Sequence, residues 1–287
     1  MQFRILGPLE VLDGQRPVEL GRPKQRAVLA VLLLHANQVV TLDRLIEELW
    51  GEQPPAQATA SLQAYISNLR RALEPERPAR TPSRVLVTQP PGYRLVVDLE
   101  NLDAARFMAL AEQGHRLLEA ERPGPAVQAL REALGLWRGP ALADMADEPF
   151  TQAERQRLEE LRLAALEDRL AAELALGGHA AAVAELGELV GRFPFRERLH
   201  GLLMLALYRS GRQAEALQAF QAARRTLGEE LGIDPNPWLR LLEADILRQA
   251  PALGLDTADR PGGPATTGGG GRAAGGHASH GTAVPGR

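Results

Sequence analysis

Residues 57–74 read QATASLQAYISNLRRALE, and residues 84–97 read RVLVTQPPGYRLVV. In the first stretch Leu62, Ile66, Leu69 and Leu73 recur at intervals of four, three and four. On a helix they fall within about 60° of one another, which predicts one buried stripe. The opposite side carries Ala60, Ala64, Ser67, Asn68 and Arg71, with Gln63 and Arg70 on its flank. A helix entering a DNA major groove about 12 Å wide must bring its axis close to the base edges, and small residues allow that approach. Asn and Gln can pair bidentately with adenine, and Arg with guanine or phosphate, so this face has the donors needed to read bases. An ordinary solvated helix face has the same composition, so the context must decide. The second stretch supplies some of it, because its β-type residues flank Pro90, Pro91 and Gly92 and predict two strands of a hairpin.

Upstream, FRIL, LEVL and PVEL are separated by Gly-Pro and Asp-Gly turn signals and predict a small antiparallel sheet. Pro23 suits the first position of a helix, and the run AVLAVLLL after it is too continuous for a surface helix, so this helix belongs to the core. QVVT is a short extended piece. Its last residue, Thr41, can cap a second helix, LDRLIEELW, that stops at Gly51, with Trp50 as a core residue closing it. Lys24 and Arg26 lie in the first turn of the first helix, where free backbone N–H groups also favour an anion, so phosphate contact and a plain solvated helix start are both open. Sheet, three helices and hairpin together make a winged helix over residues 1–98.

Residues 99–250 read as helix after helix, with apolar positions three and four apart between Gly, Pro and Asp punctuation. Gly178 and Gly211 are 33 residues apart, and Ala216, Phe220 and Ala223 follow the second at the spacing of a tetratricopeptide repeat. Such repeats stack into a solenoid that binds protein on its concave face. Trp137 and Trp238 are read as core anchors. Residues 251–287 are rich in Gly, Pro, Ala and Thr, and from Asp256 on they lack large apolar side chains apart from a single valine, which predicts a disordered tail. His277 and His280 on that tail make no specific metal site, and the four glycines at 268–271 are followed by no Gly-Lys-Ser/Thr of a phosphate loop.

The stretch from LEVLDG through GRPKQRAVLAVLLLHANQVVTLDRLIEELWGEQPP to SLQAYISNLRRALEP and TQPPGYRL resembles the winged-helix effector domain of OmpR-type response regulators, in the version carried by SARP regulators (Streptomyces antibiotic regulatory proteins). LWRGPALAD and FPFRERLHGLLMLALYRSGRQAEALQAFQAARRTLGEELGIDPNPWL resemble the bacterial transcriptional activation domain that follows in that family. The expected fold class is mainly α: an N-terminal OmpR-type winged helix-turn-helix, then an all-α tetratricopeptide-like helical-repeat domain. The resemblance implies a third helix in the major groove, at Gln63, Ser67, Asn68, Arg70 and Arg71, and a wing in the neighbouring minor groove, at Thr88, Gln89 and Arg94. Many response regulators present arginine at the wing tip where this chain has Gln89, which can hydrogen-bond but brings no charge. Tyr93 is read as packing the wing against its domain. The loop GEQPPAQ, residues 51–57, matches one that faces RNA polymerase in OmpR-type activators. The family further implies two copies side by side on promoter direct repeats, a homodimer on DNA that recruits RNA polymerase holoenzyme, and target genes of secondary metabolism. No receiver domain precedes the winged helix, so control by abundance or by a partner is expected.

Composition narrows the field. Hydrophobic residues make up 45% of the 287 and charged residues 24%, the profile of a folded protein, with length enough for two domains. Cysteine is absent, which excludes disulfides and thiolate chemistry, and no run of about 18 apolar residues or signal sequence is found, so a cytoplasmic protein without membrane contact is expected. Residues 1–98 carry 12 Lys and Arg against 10 Asp and Glu, net +2, whereas residues 99–255 carry 18 against 24, net -6. So small an excess predicts weak DNA binding by one copy and a need for a neighbour. No HExxH, GxSxG or post-strand GxGxxG occurs, and Glu159 and Glu160 are adjacent and point apart, so no enzyme, cofactor or metal site is expected. The competing reading is a helical-repeat scaffold whose winged helix binds protein rather than DNA.

Overall fold

The apolar run after Pro23 folds as α1 (Pro23–Leu34) and is buried on all sides, with Ala27 through Leu33 at most 2% exposed. The computed structural model describes residues 1–78 and 80–254. Before α1 come β1 (Gln2–Arg4), β2 (Glu10–Asp13) and β3 (Arg16–Pro17), an antiparallel sheet in that order. Of the third predicted strand, PVEL, only Pro17 falls within β3, although the Val18 N–H still donates to the Val11 carbonyl. After α1, β4 (Val39–Thr41) leads into α2 (Leu42–Trp50), whose first turn is capped by the Thr41 hydroxyl accepting the Arg44 N–H at 3.2 Å. Trp50 is half-buried against the core around α1.

α3 (Ala58–Leu73) follows, then β5 (Leu86–Gln89) and β6 (Gly92–Leu95). The second sheet is ordered β4-β6-β5, so the extended piece before α2 completes the wing: Val40 lies opposite Tyr93, which lies opposite Thr88. The architecture is a winged helix followed by a helical array.

The array comprises α4 (Asp103–Glu119), α5 (Pro123–Gly135), α6 (Pro149–Ala175), α7 (His179–Arg192), α8 (Glu197–Arg209), α9 (Gln213–Leu231) and α10 (Pro237–Leu247). Successive helices pack pairwise, and α4, α6, α8 and α10 also touch in turn, so alternate helices line one face. The repeat spacing reflects a packing requirement: Ala216, Phe220 and Ala223 are all at most 2% exposed in the last apolar cluster.

Trp137 is the core anchor expected of it, its ring edge-on to Phe107 at 5.3 Å with the Arg162 guanidinium 4.6 Å over its face. Trp238 is not: 48% of it is exposed. Its ring lies along the backbone of α8, where a Cβ added to Gly201 would come within 2.1 Å of it. Gly201, without a side chain, admits one edge of the ring, and the rest stays at the surface. The first residues of the expected tail, 251–254, are described and make contacts with the array. Pro251–Leu253 forms a single 3-10 turn, and the Leu253 carbonyl accepts the Arg209 guanidinium at 2.9 Å. The remainder of the predicted tail, with His277, His280 and the glycine run, lies outside the described residues.

The hydrophobic core does not stop at residue 98. One cluster runs from Phe3 and Leu6 through α1 and α3 to Phe107, Trp137 and Ala172. Polar contacts cross the same boundary. The Asp103 carboxylate accepts the backbone N–H groups of Ile5 and Leu6 at 2.8 and 3.0 Å, and the Asp144 carboxylate accepts that of Leu9 at 2.8 Å. Burial holds the Asp103 pKa above its ordinary value, with the two N–H donors and Arg138 opposing the shift.

Candidate nucleic-acid interface

The face opposite the buried stripe of α3 is open. Leu62, Ile66, Leu69 and Leu73 are at most 2% exposed, while Ala60, Gln63, Ala64, Ser67, Asn68 and Arg71 are all exposed. Arg71 has no carboxylate within ion-pair distance among the described residues, and its place in the last turn suits the negative end of the helix dipole. The arrangement offers a smooth ridge of small side chains with an amide, a hydroxyl and a guanidinium projecting from it.

Arg70, on the flank of the same helix, is partnered inside the protein. Its Nε donates to the Leu86 carbonyl at 2.8 Å, a terminal nitrogen donates to the Thr88 hydroxyl at 2.6 Å, and the guanidinium sits 5.7 Å over the Tyr93 ring. Burial lowers its pKa somewhat, far too little to remove a guanidinium's charge. Arg70 and Thr88, both expected to contact DNA, therefore form the clamp that fixes the wing to α3; a base contact by Arg70 would require releasing these bonds. Tyr93 packs the wing, as its half-burial between Val40 and Thr88 shows.

The wing itself is held tight to β4. A Cβ on Gly92 would lie 1.9 Å from the Val40 carbonyl oxygen, so only glycine admits this strand spacing. Gln89 and Arg94 are half-buried, and the Arg94 Nε is enclosed with no hydrogen-bond partner. Pro90 and Pro91, at the tip, are exposed, as is the whole of residues 51–57.

Lys24 and Arg26 are both engaged within the protein. Lys24 Nζ donates to the Leu49 carbonyl at 2.8 Å and pairs with Glu148 at 3.2 Å; Arg26 donates to the Leu9 carbonyl and pairs with Asp144. Both cations are matched by carboxylates of the helical array and join the two parts of the molecule, so a phosphate would have to compete with those partners. The cross-boundary residues Asp103, Arg138, Asp144 and Glu148 had no signature in the sequence beyond acidic residues near helix starts.

Comparison with known proteins agrees with this architecture. The family model described as "Transcriptional regulatory protein, C terminal" matches residues 15–95, and "Bacterial transcriptional activator domain" matches residues 102–247. The transcriptional regulator RedD of Streptomyces coelicolor is 38% identical over 258 residues, covering 90% of this chain and 73% of RedD. The chain belongs to the SARP family of transcriptional activators. Another family relative, the regulatory protein AfsR of S. coelicolor, is 44% identical over 88% of this chain, which spans only 25% of AfsR's length. The solved structure of Mycobacterium tuberculosis EmbR, in complex with a low-affinity phosphopeptide, superposes with a TM-score of 0.83 at 42% identity, covering 87% of this chain and 65% of that one. The family is one of transcription regulators, and no helix among the described residues of this chain is long and apolar enough to cross a membrane.

Proposed function

We infer that this SARP-family protein activates transcription by binding promoter DNA through α3 and recruiting RNA polymerase. The observation that carries the reading is the exposed ridge of α3, where Ala60, Ala64 and Ser67 clear the way for Gln63, Asn68 and Arg71 on a helix whose other side is fully buried. In this reading Gln63, Ser67, Asn68 and Arg71 meet base edges and adjacent phosphates in the major groove, and Gln89 and Arg94 approach the minor groove beside them. Arg70 and Thr88 act indirectly by setting the angle of the wing. With Lys24 and Arg26 neutralised internally, one copy has little positive charge to spare, which favours two copies on direct repeats held by contacts between protomers. The exposed loop 51–57 and the helical array are the surfaces for RNA polymerase. Likeness to RedD and AfsR points to genes of secondary metabolism as targets, in the cytoplasm.

The test is an anisotropy titration of the full chain against promoter fragments of its gene neighbourhood, at two salt concentrations, beside an Asn68→Ala, Arg71→Ala double variant. Salt-sensitive binding to a direct-repeat fragment, lost in the variant, supports the reading. A folded protein that binds no fragment would favour the protein-interaction scaffold instead.

A further inference from the structure

We propose that the cleft between β1 and the first two helices of the array is a binding site for a small amphipathic zwitterion, an α-amino acid with a large apolar side chain. Two cavities meet there. One, of about 280 Å³, runs from the outer edge of β1 at Gln2 and Arg4 to the end of α5 at Gly135 and Leu136. The other, of about 510 Å³, opens beside it over Leu99, Ala105, Ala109 and Leu110, and Glu100 and Arg106 line both. Taken together they fall in the size range of small-molecule sites, which favour the boundary between two structural units.

The two cavities differ in chemistry. The first is about half polar and carries charge of both signs, of which Arg4 and Glu100 have no ion-pair partner among the described residues. The Arg4 guanidinium has only the Gln2 side-chain oxygen, at 3.0 Å, and no carboxylate within ion-pair distance among the described residues. Arg106 pairs with Glu132, but both side chains are about half exposed, so water screens the pair and Arg106 can turn to a ligand. On the negative side, the Glu100 carboxylate has no side-chain partner among the described residues, and the carbonyl end of α5 adds the negative pole of its dipole. Asp103, at the bottom, is already occupied by the Ile5 and Leu6 N–H groups and by Arg138 at 3.8 Å. A carboxylate suits Arg4 and Arg106, an ammonium suits Glu100, and a ligand carrying both leaves neither sign unpaired. The second cavity supplies an apolar shelf, where Leu99 is 53% exposed in the absence of anything to cover it. Because Gln2 and Arg4 belong to the winged-helix sheet and Arg106 to the array, such a ligand would bridge the two parts and stabilise the junction.

Isothermal titration of the full chain with L-phenylalanine tests this, with 3-phenylpropionate and 2-phenylethylamine as probes that each lack one charge. The expected result is saturable one-to-one binding of L-phenylalanine, with both single-charge probes weaker by about tenfold or more. Glu100→Gln should erase the preference over 3-phenylpropionate. Ala109→Trp, at an exposed helical position, should fill the shelf and abolish binding while the circular dichroism spectrum is unchanged. No saturable binding, equal binding of the three probes, or binding that survives Ala109→Trp would each overturn the proposal. Calorimetry reads the site whether or not the protein binds DNA, so its outcome is separate from that of the promoter titration.

Discussion

At Asn68 and Arg71 the side chain's whole role lies outside the folded protein, because both are exposed and neither supports a neighbour. Replacing either with alanine should leave stability within about 0.5 kcal/mol. Each should cost about 1–3 kcal/mol of promoter affinity, if each makes one base contact. Melting curves and anisotropy titrations run together check this, and unchanged affinity would take α3 out of the interface. His179 makes the opposite case. It opens α7 at 8% exposure with neither ring nitrogen partnered, and burial, then the Arg209 charge, lowers its pKa below the ordinary 6.5. The unfolded chain therefore binds the proton more readily, and the stability that His179 confers above pH 6.5 is lost as pH falls through its lower folded value. Urea midpoints should drop from pH 7.5 to pH 5 in the wild type, and less so in His179→Leu; equal drops in both would refute the assignment. Exposure along α3 was legible because a helix repeats locally. The fates of Lys24 and Arg26 were not, because their carboxylate partners lie 124 and 118 residues downstream. The internal bonds of Arg70 were hidden for a nearer reason: its bond to Leu86 spans only 16 residues, but it depends on where the hairpin turns back.

At the level of elements, the sequence spoke most clearly where one residue type has one physical use. Pro23, Thr41 and the apolar stripe of α3 marked helix starts and faces that the structure keeps, because caps and periodicity are settled within a turn or two. The pairing of β4 with β6 was less visible, since it joins segments about fifty residues apart whose only shared signal is β propensity. Gly92 is the residue that permits this pairing. Gly92→Ala would force its methyl group into the Val40 carbonyl and part β6 from β4, a cost of roughly 2–3 kcal/mol or more in the class of severe packing defects. Gly228→Ala is the control, because nothing lies within 4 Å of its added Cβ within α9, and it should stabilise by about 0.5–1 kcal/mol. Thermal denaturation of the two variants should move in opposite directions. A Gly92→Ala protein that melts like wild type would mean that the wing does not depend on β4.

At the scale of the whole molecule, the winged helix and the array are bound together too closely to act as separate modules. Phe3, Ile5, Leu6 and Leu9 are at most 3% exposed, in a cluster shared with Phe107 and Trp137. The segment that carries them also accepts backbone bonds from the array: the Arg138 N–H donates to the Leu6 carbonyl at 2.8 Å and the Leu142 N–H to that of Ile5 at 2.9 Å. Asp103, Asp144 and Glu148 add charged anchors at the same seam, and the Arg138 guanidinium reaches back to the Pro8 carbonyl at 3.0 Å. A fragment of residues 1–98 would expose this apolar surface and leave the Ile5, Leu6 and Leu9 N–H groups without their acceptors. Each group removed from a buried partner costs about 1–3 kcal/mol, so three already approach the whole stability of a small domain, about 5–15 kcal/mol. The fragment should therefore unfold at a much lower urea concentration than the full chain and bind promoter DNA more weakly, despite keeping α3 and the wing. Asp103→Ala in the full chain should reproduce part of the loss, with the fluorescence of Trp50, in the winged helix, and Trp137, in the array, still reporting one common transition. If residues 1–98 alone matched the full chain in urea midpoint, the two parts would be independent, and no event at the array could reach the exposed face of α3 through this seam.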